Sequence, residues 1–362
     1  MSENVAINSL LKEDLKQYIV KLGEKQYRAK QLWRWIYVNG VKSFNDMSDI
    51  GVNLRNKLNY EVSFNRLDAD THQISEDGTQ KWLFSLKDKR KIETVFIPEA
   101  DRGTLCISSQ VGCTLSCSFC HTGTMALVRN LTADEIVGQV LSAKDRLFDW
   151  GSKNRKITNI VFMGMGEPLY NYQEVTKAIK ILLDNEGLCY SRRKITLSTS
   201  GVVPIIQKLK KELDVSLAIS LHAVNDKLRN ELVPINKKWP IKELLSVLEV
   251  YPGVNNARRI TFEYVMLDGV NDSIVEAKKL VSLLKPIHAK VNLIPFNPWP
   301  GSIYKCSSEQ TIKDFADEIC NNGGIIATVR HARGQDIQAA CGQLKSNSER
   351  IGREKIKNIN TT

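Results

Sequence analysis

Apolar residues recur three and four apart in DLKQYIVKL and AKQLWRWIY, the period of helices with one buried face. NLRNKL continues that character, so the pattern predicts a compact helical part over residues 1–75. From residue 76 the texture changes. KWLFSL and KIETVFI read as strands, a connector over 76–103 that carries Glu93. Seven more apolar runs follow: TLCISSQV, ITNIVFMGMG, KITLSTSG, SLAISLHA, RITFEYVML, KVNLIPFN and IIATVRH. Helical patterns separate them: TADEIVGQVLSAKDRLF, NYQEVTKAIKILLDN, PIIQKLKKEL, IKELLSVLEVY, SIVEAKKLVSLLK and EQTIKDFADEI. Alternating strands and helices predict βαβ units on a parallel sheet. The expected fold is α/β, a partial (βα)6 barrel over residues 104–345 beside a small N-terminal helical domain. In such a barrel the chemistry sits at the C-terminal ends of the strands. Residues 346–362 read as a polar, basic tail.

Composition narrows the class. The 362 residues are 42% hydrophobic and 25% charged, as in an ordinary globular protein long enough for more than one core. No apolar run approaches the roughly 18–20 residues that span a bilayer, and MSENVAINSLLKEDLKQ has no apolar leader core. The expectation is a cytoplasmic protein with no membrane role. A net charge of +11 fits either a plain basic surface or a partner rich in phosphate. Arg28, Lys30 and Arg34 interleave with Trp33, Trp35 and Tyr37. That segment either grips RNA or packs its aromatics inwards and leaves its bases in solvent. Arg192, Arg193, Lys194, Lys208, Lys210 and Lys211 are further candidate contacts.

The eight cysteines carry the sharpest signal. Cys113, Cys117 and Cys120 form C-x3-C-x2-C, whereas Cys106 lies seven residues earlier and Cys189, Cys306, Cys320 and Cys341 stand alone. Cys189, Cys306 and Cys320 are expected to pack as small apolar residues. A reducing compartment argues against a disulfide framework and for metal or thiol chemistry at the triplet. Closed zinc sites want four ligands, and His121, adjacent to Cys120, is badly placed to be one. An electron-transfer [4Fe–4S] cluster also wants four thiolates, so three leave one iron open to a substrate.

C-x3-C-x2-C after a first barrel strand resembles the signature of the radical S-adenosylmethionine (SAM) enzymes. The resemblance implies one [4Fe–4S] cluster per chain, held by Cys113, Cys117 and Cys120, whose open iron chelates SAM. FMGMGEP, STSG, SLH and PFNP each end a candidate strand. By resemblance Gly166 and Glu167 contact the methionine part, and Ser198, Ser220, Leu221, His222 and Asn297 line the cofactor pocket.

A closer likeness runs through nearly the whole chain. GEKQYRAKQLWRWIY, IETVFIPEADRGTLCISSQVGC, RNLTADEIVGQV, FMGMGEPLYN, ITLSTSGVVP, LIPFNPWPG and RHARGQDIQAACGQL, in that order, resemble the RlmN family. Its members methylate carbon 2 of an adenosine in 23S ribosomal RNA, and many also modify an adenosine beside the tRNA anticodon. That carbon is electron-poor and has no lone pair, so it cannot attack a sulfonium methyl directly. The resemblance implies that Cys341 carries a methyl group, that its thiomethylene radical adds to carbon 2, and that Cys106 releases the product by forming a disulfide with Cys341. It makes Glu93 the proton acceptor and implies two SAM molecules per methylation. On local sequence alone Cys341, between alanines and glycine, also fits a packed apolar position, and Glu93 a solvated strand residue. The expected partners are 23S rRNA, tRNA and a flavodoxin-type electron donor, with the chain acting as a monomer. The Cfr branch, which methylates carbon 8, shares the cysteine set. A non-catalytic, metal-stabilised RNA-binding protein would leave Cys106 and Cys341 without a use.

Overall fold

A computed structural model describes residues 5–151 and 154–346. The expected tail from residue 347 onwards lies outside the described residues.

The large sheet has ten strands whose spatial order is their order in the chain. They are β1 (Asp68–Ile74), β2 (Gln80–Ser85), β3 (Lys91–Pro98), β4 (Gly103–Cys106), β5 (Asn159–Phe162), β6 (Ile195–Thr199), β7 (Ser216–Ser220), β8 (Ile260–Met266), β9 (Ala289–Pro295) and β10 (Ile326–Val329). β1 to β4 pair antiparallel. From β4 to β10 every pairing is parallel. Each parallel step steps the same way across the sheet, so right-handed crossovers place the intervening helices on one face. These include α4 (Ala133–Leu147), α5 (Tyr172–Leu183), α6 (Val203–Glu212), α7 (Asp226–Leu232), α8 (Ile241–Glu249), α9 (Ile274–Leu284) and α10 (Glu309–Asp317). The result is six βα units, the partial barrel that the alternation predicts.

N-terminal to the sheet lie α1 (Lys12–Lys21), α2 (Tyr27–Tyr37) and α3 (Val52–Glu61). Leu15 and Ile19 of α1, and Ala29, Leu32, Trp33, Ile36 and Tyr37 of α2, are buried, as their three-and-four spacing requires. The segments that flank these helices tie the N-terminal part to α4 and the turn after it: Asn8 donates to the Asp134 carbonyl, Leu67 N to Ser142 Oγ, and Gly40 lies against the Trp150 ring. One correction follows. The helical reading of residues 1–75 fails over Asp68–Ile74, which is β1. DADTHQI is mostly exposed and nearly all polar, so it carries no apolar alternation to announce a strand; it forms by pairing along the length of β2.

The first crossover starts with a stop-and-start signal in the sequence. Thr132 and Glu135 make a reciprocal capping box at the head of α4. Below it, Gln110–Val111 pairs with Arg129–Asn130 and closes the base of the loop that holds the cysteine triplet.

After β10 the chain crosses to the other side of the sheet. Asp336 accepts from Ser75 Oγ and Glu76 N, Asp77 accepts from Gly334 N, Lys81 donates to the Gln338 carbonyl, and Lys345 N donates to Glu93. The sheet is open, and residues 331–346 bridge the gap between its last parallel strand and the β1–β3 hairpins.

Candidate active site at the strand ends

An open-mouthed cavity lies at the C-terminal ends of the parallel strands, the edge of such a sheet where ligands bind. Cys113, Cys117 and Cys120 form one wall. Gly166, Glu167, Ser198, Ser220, His222 and Asn297 face it from the ends of successive strands, and Cys341 enters from the bridging segment.

Each position has a local cause. The triplet loop is pinned on several sides. Cys120 N donates to the Cys117 carbonyl, Ser118 N to the Leu232 carbonyl, His121 N to the Gly342 carbonyl, and Trp299 Nε1 to the Phe119 carbonyl. A Cβ on Gly123 would lie 2.5 Å from the Cys117 carbonyl oxygen, so that turn has room only for glycine. Gly166 has φ +101°, and a Cβ there would strike the Gln110 side chain at 2.5 Å. Glu167 is buried and caged by amides: Leu169 N at 3.0 Å and Ser200 N at 2.8 Å donate to its two oxygens. Burial pushes its carboxyl pKa up, and those bonds oppose the rise.

Cys341 sits in a turn held by its neighbours. Asn297 Nδ2 donates to the Cys341 carbonyl at 3.3 Å, and its Oδ1 accepts from Gln335 Nε2 at 2.8 Å. Gln343 Nε2 donates to the Pro298 carbonyl at 2.7 Å, and its Oε1 accepts from Ala340 N. Cys106 ends β4, is buried, and has its thiol pushed up to about 12, mainly by burial and then by Cys341. Burial also raises Cys341, with Arg330 opposing. The two thiols therefore lie within electrostatic reach of each other and of one guanidinium.

Glu93 and Cys106 are not on the cavity lining. Glu93 lies on β3, where Val95 pairs with Cys106, so the two residues share a face of the sheet. Its carboxylate meets Lys81 Nζ at 3.2 Å and Lys345 N at 2.7 Å. Burial raises its pKa and Lys81 works against that. Leu221 has a fully buried side chain; its backbone N donates to the Glu263 carbonyl. His222 adopts φ +59°, accepts from Val265 N at 3.0 Å, and is held neutral by burial, its pKa lowered to about 3.

Sequence reasoning passed over Glu263 and Arg330, which both line the cavity. Glu263 is buried on β8 and accepts from Asn292 Nδ2 at 2.9 Å. One acidic residue inside the apolar run ITFEYVM was the available signal, since an unpaired charge is costly to bury there. Arg330 is the first residue after β10, a strand-end position like those already named.

One further expectation fails, and the basic segments fall into definite places. Cys189, Cys306 and Cys320 are exposed rather than packed as apolar residues. Trp33 and Tyr37 are core residues, Trp35 is half-buried against Asp49, and Lys30 pairs with Glu186, so most of the basic–aromatic segment builds the helical domain. Arg192, Arg193 and Lys194 are exposed but precede β6, at the opposite end of the strands from the cavity. Lys208 and Lys211, near the end of α6, are exposed at that same far end; the Lys210 side chain lies outside the described residues.

The donor set fits an iron–sulfur cluster. Burial raises all three triplet thiols, Cys113 to about 12, so they await a cation that will take them as thiolates. Among the described residues no three His, Cys, Asp or Glu side chains are arranged to chelate a single ion. Thiols spread along one cavity wall suit a cluster, whose irons occupy separate corners.

A triplet loop after the first parallel strand, facing a cavity at the strand ends, defines a radical SAM enzyme. A model of the radical SAM superfamily matches residues 107–281, and one of the ribosomal RNA large subunit methyltransferase N-terminal domain matches residues 5–63. The dual-specificity RNA methyltransferase RlmN of Rhodopseudomonas palustris (strain BisA53) is 58% identical over 92% of this chain and 86% of its own. That of Bradyrhizobium diazoefficiens is 58% identical, covering 91% of this chain and 84% of its own. The crystal structure of a radical SAM methyltransferase from Sphaerobacter thermophilus superposes with a TM-score of 0.89 at 43% identity, over 94% of this chain and 99% of that one. The chain belongs to the RlmN family of radical SAM RNA methyltransferases. The family implies a [4Fe–4S] cluster and SAM at this cavity. Among the described residues no helix is long and apolar enough to cross a membrane.

Proposed function

We propose that this enzyme methylates carbon 2 of an adenosine in 23S rRNA, and of an adenosine beside the anticodon in tRNA, through a methyl group carried on Cys341. The observation that carries the reading is the placement of Cys341: on a loop from the end of the chain, inside the cavity that the cysteine triplet lines, with Cys106 behind it. That the relatives are dual-specificity RNA methyltransferases supports two RNA substrates.

Cys113, Cys117 and Cys120 hold the cluster, and Gly166, Glu167, Ser198, Ser220, His222 and Asn297, with the Leu221 backbone, shape the SAM pocket. When bound, the cluster and SAM supply a methyl group and a 5′-deoxyadenosyl radical. Cys341 takes the methyl on Sγ as a thiolate, its charge balanced by Arg330. After loss of one hydrogen atom, the methylene carbon on Cys341 bonds to carbon 2 of an adenine flipped into the cavity. Glu93 takes the proton that carbon 2 must lose. Its raised pKa suits that task, and Lys81 keeps it available in the ionised form. The Cys106 thiolate then attacks Cys341 sulfur, and the carbon–sulfur bond breaks with its electron pair left on the methylene carbon, which takes a proton to become the new methyl. The single unpaired electron left by the radical addition would be taken up by the cluster that Cys113, Cys117 and Cys120 hold. The disulfide formed is reduced before the next turnover.

The test is a single anaerobic reaction on RNA with SAM bearing a fully deuterated methyl group. Mass spectrometry should find two deuteriums in a new methyl at carbon 2 and the third in 5′-deoxyadenosine. Two at carbon 8 would assign the chain to the Cfr reaction instead. Three retained would mean direct displacement and would remove Cys341 from the mechanism.

A further inference from the structure

Arg229, on α7, is completely buried. Its Nε donates to the Leu221 carbonyl at 3.0 Å, and Nη2 to the carbonyls of Ser200 at 2.8 Å and Ser220 at 3.0 Å. Nη1 donates to Asn236 Oδ1 at 2.8 Å. Every acceptor is neutral, and among the described residues no carboxylate lies within ion-pairing distance. Asp226, on the same helix, spends Oδ1 on Asn236 Nδ2 and Ile241 N. A buried guanidinium with no countercharge is expensive to desolvate. Neutral donors could bind three carbonyls and an amide without that penalty.

The position says what the charge is for. Ser200, Ser220 and Leu221 end β6 and β7, and Ser200 and Ser220 line the cavity, so the guanidinium lies directly behind its wall. Three residues further on, the Leu232 carbonyl at the end of α7 accepts from Ser118 N, between Cys117 and Cys120. After its own burial, Cys117 acts on Arg229 more strongly than Asp226 does. A thiolate at Cys117 would supply the negative charge that Arg229 lacks.

We propose that Arg229 is the built-in countercharge of the thiolate-bound cluster, a positioning residue that makes the cluster easier to reduce. The inference rests on the reading of Cys113, Cys117 and Cys120 as cluster ligands. Reduction adds one negative charge, and a fixed cation in a low-dielectric wall favours the reduced form. Fixed to the Ser200, Ser220 and Leu221 carbonyls, Arg229 also couples that charge to the strand ends that shape the cofactor pocket.

The experiment is an anaerobic redox titration of the reconstituted full chain, followed by electron paramagnetic resonance, with iron and sulfide counted in each sample. Arg229→Gln should bind the cluster yet need a potential lower by at least 59 mV, the one-electron equivalent of a tenfold change in the reduced-to-oxidised ratio. Arg229→Lys keeps the charge but loses the fork, and should stay within that interval of the parent. A purely structural clip predicts the reverse pattern, with Lys and Gln equally impaired in folding and neither shifted in potential; that result overturns the proposal. If Arg229→Gln does not fold, Asn236→Asp neutralises the guanidinium through an atom it already bonds. An unchanged potential in that variant overturns the proposal equally. A parent chain that binds no iron overturns the cluster reading, and this inference with it; a parent with a normal cluster beside an unshifted Gln variant overturns this inference alone.

Discussion

His222 shows how one side chain can serve the fold and the cavity at once. Its left-handed backbone ends β7 abruptly, its Nδ1 receives Val265 N, and its ring meets Phe119 edge-on with centroids 4.6 Å apart. Burial, and after it the Arg229 charge, hold its pKa at about 3, so the ring is neutral, lacking its second proton, and Nδ1 is free to accept that bond. The unfolded chain would bind this proton near pH 6.5. The folded pKa is depressed, so this stability is fully present above pH 6.5 and drains away as pH falls towards 3, by at most about 1.4 kcal/mol per pH unit. Glu93, Glu167 and Glu263 act in the opposite sense, since their raised carboxyl pKa values favour the folded chain as pH falls. His222→Asn keeps an acceptor and a residue that tolerates φ near +60° but removes the titration. Its thermal midpoint should fall less between pH 7.5 and 5.5 than that of the parent. An equal fall in both would take His222 out of the pH dependence.

At the scale of elements, the segment after β10 is the decisive piece, and the sequence says least about its shape. The seven parallel strands and six helical patterns are readable because burial on a sheet and on a helix face imposes periods of 2 and 3.6. The cysteine triplet and the glycine-rich strand end are readable because their chemistry is local. Residues 331–346 have no period. They are held by single hydrogen bonds to residues far away in the chain, as from Lys345 N to Glu93 and from Gln343 Nε2 to the Pro298 carbonyl. Glu263 and Arg330 carry only weak local signals, a lone acid in an apolar run and a strand-end position, and it is the fold that brings the two to one cavity. Gln343 offers a test of the segment. Truncating it to Ala removes two hydrogen bonds worth about 0.5–1.5 kcal/mol each, so the equilibrium constant for seating the Cys341 turn should fall roughly tenfold. Hydrogen exchange of residues 334–345 should speed up by about that factor, and methyl transfer to Cys341 slow by no more than it, with the iron content unchanged. Unaltered exchange would mean that the other anchors suffice.

On the scale of the whole molecule, a net charge of +11 says less than the end of the sheet on which each charge lies. Arg192, Arg193 and Lys194 precede β6, and Arg258, which shares Asp214 with Arg192, precedes β8. These residues face away from the cavity mouth, and the parallel strands hold them there. Screening confines a surface charge to a reach of about 8–10 Å at physiological salt, so this patch has little hold on RNA seated over the cavity. Lys305 follows β9 on the mouth side, and Lys345 adjoins the Cys341 turn; both side chains are exposed. RNA affinity should therefore fall with salt along a log–log line whose slope counts phosphate contacts, about 0.7–0.9 per contact. Lys305→Glu and Lys345→Glu should each flatten that slope by about one, with the charge change acting through affinity and not through methyl transfer to Cys341. Arg192→Glu combined with Arg193→Glu should leave the slope within a few tenths of the parent and the affinity within about twofold. If the far-end pair flattens the slope as much as the mouth pair does, the RNA must wrap the sheet from end to end, and the cavity mouth is only part of its footprint.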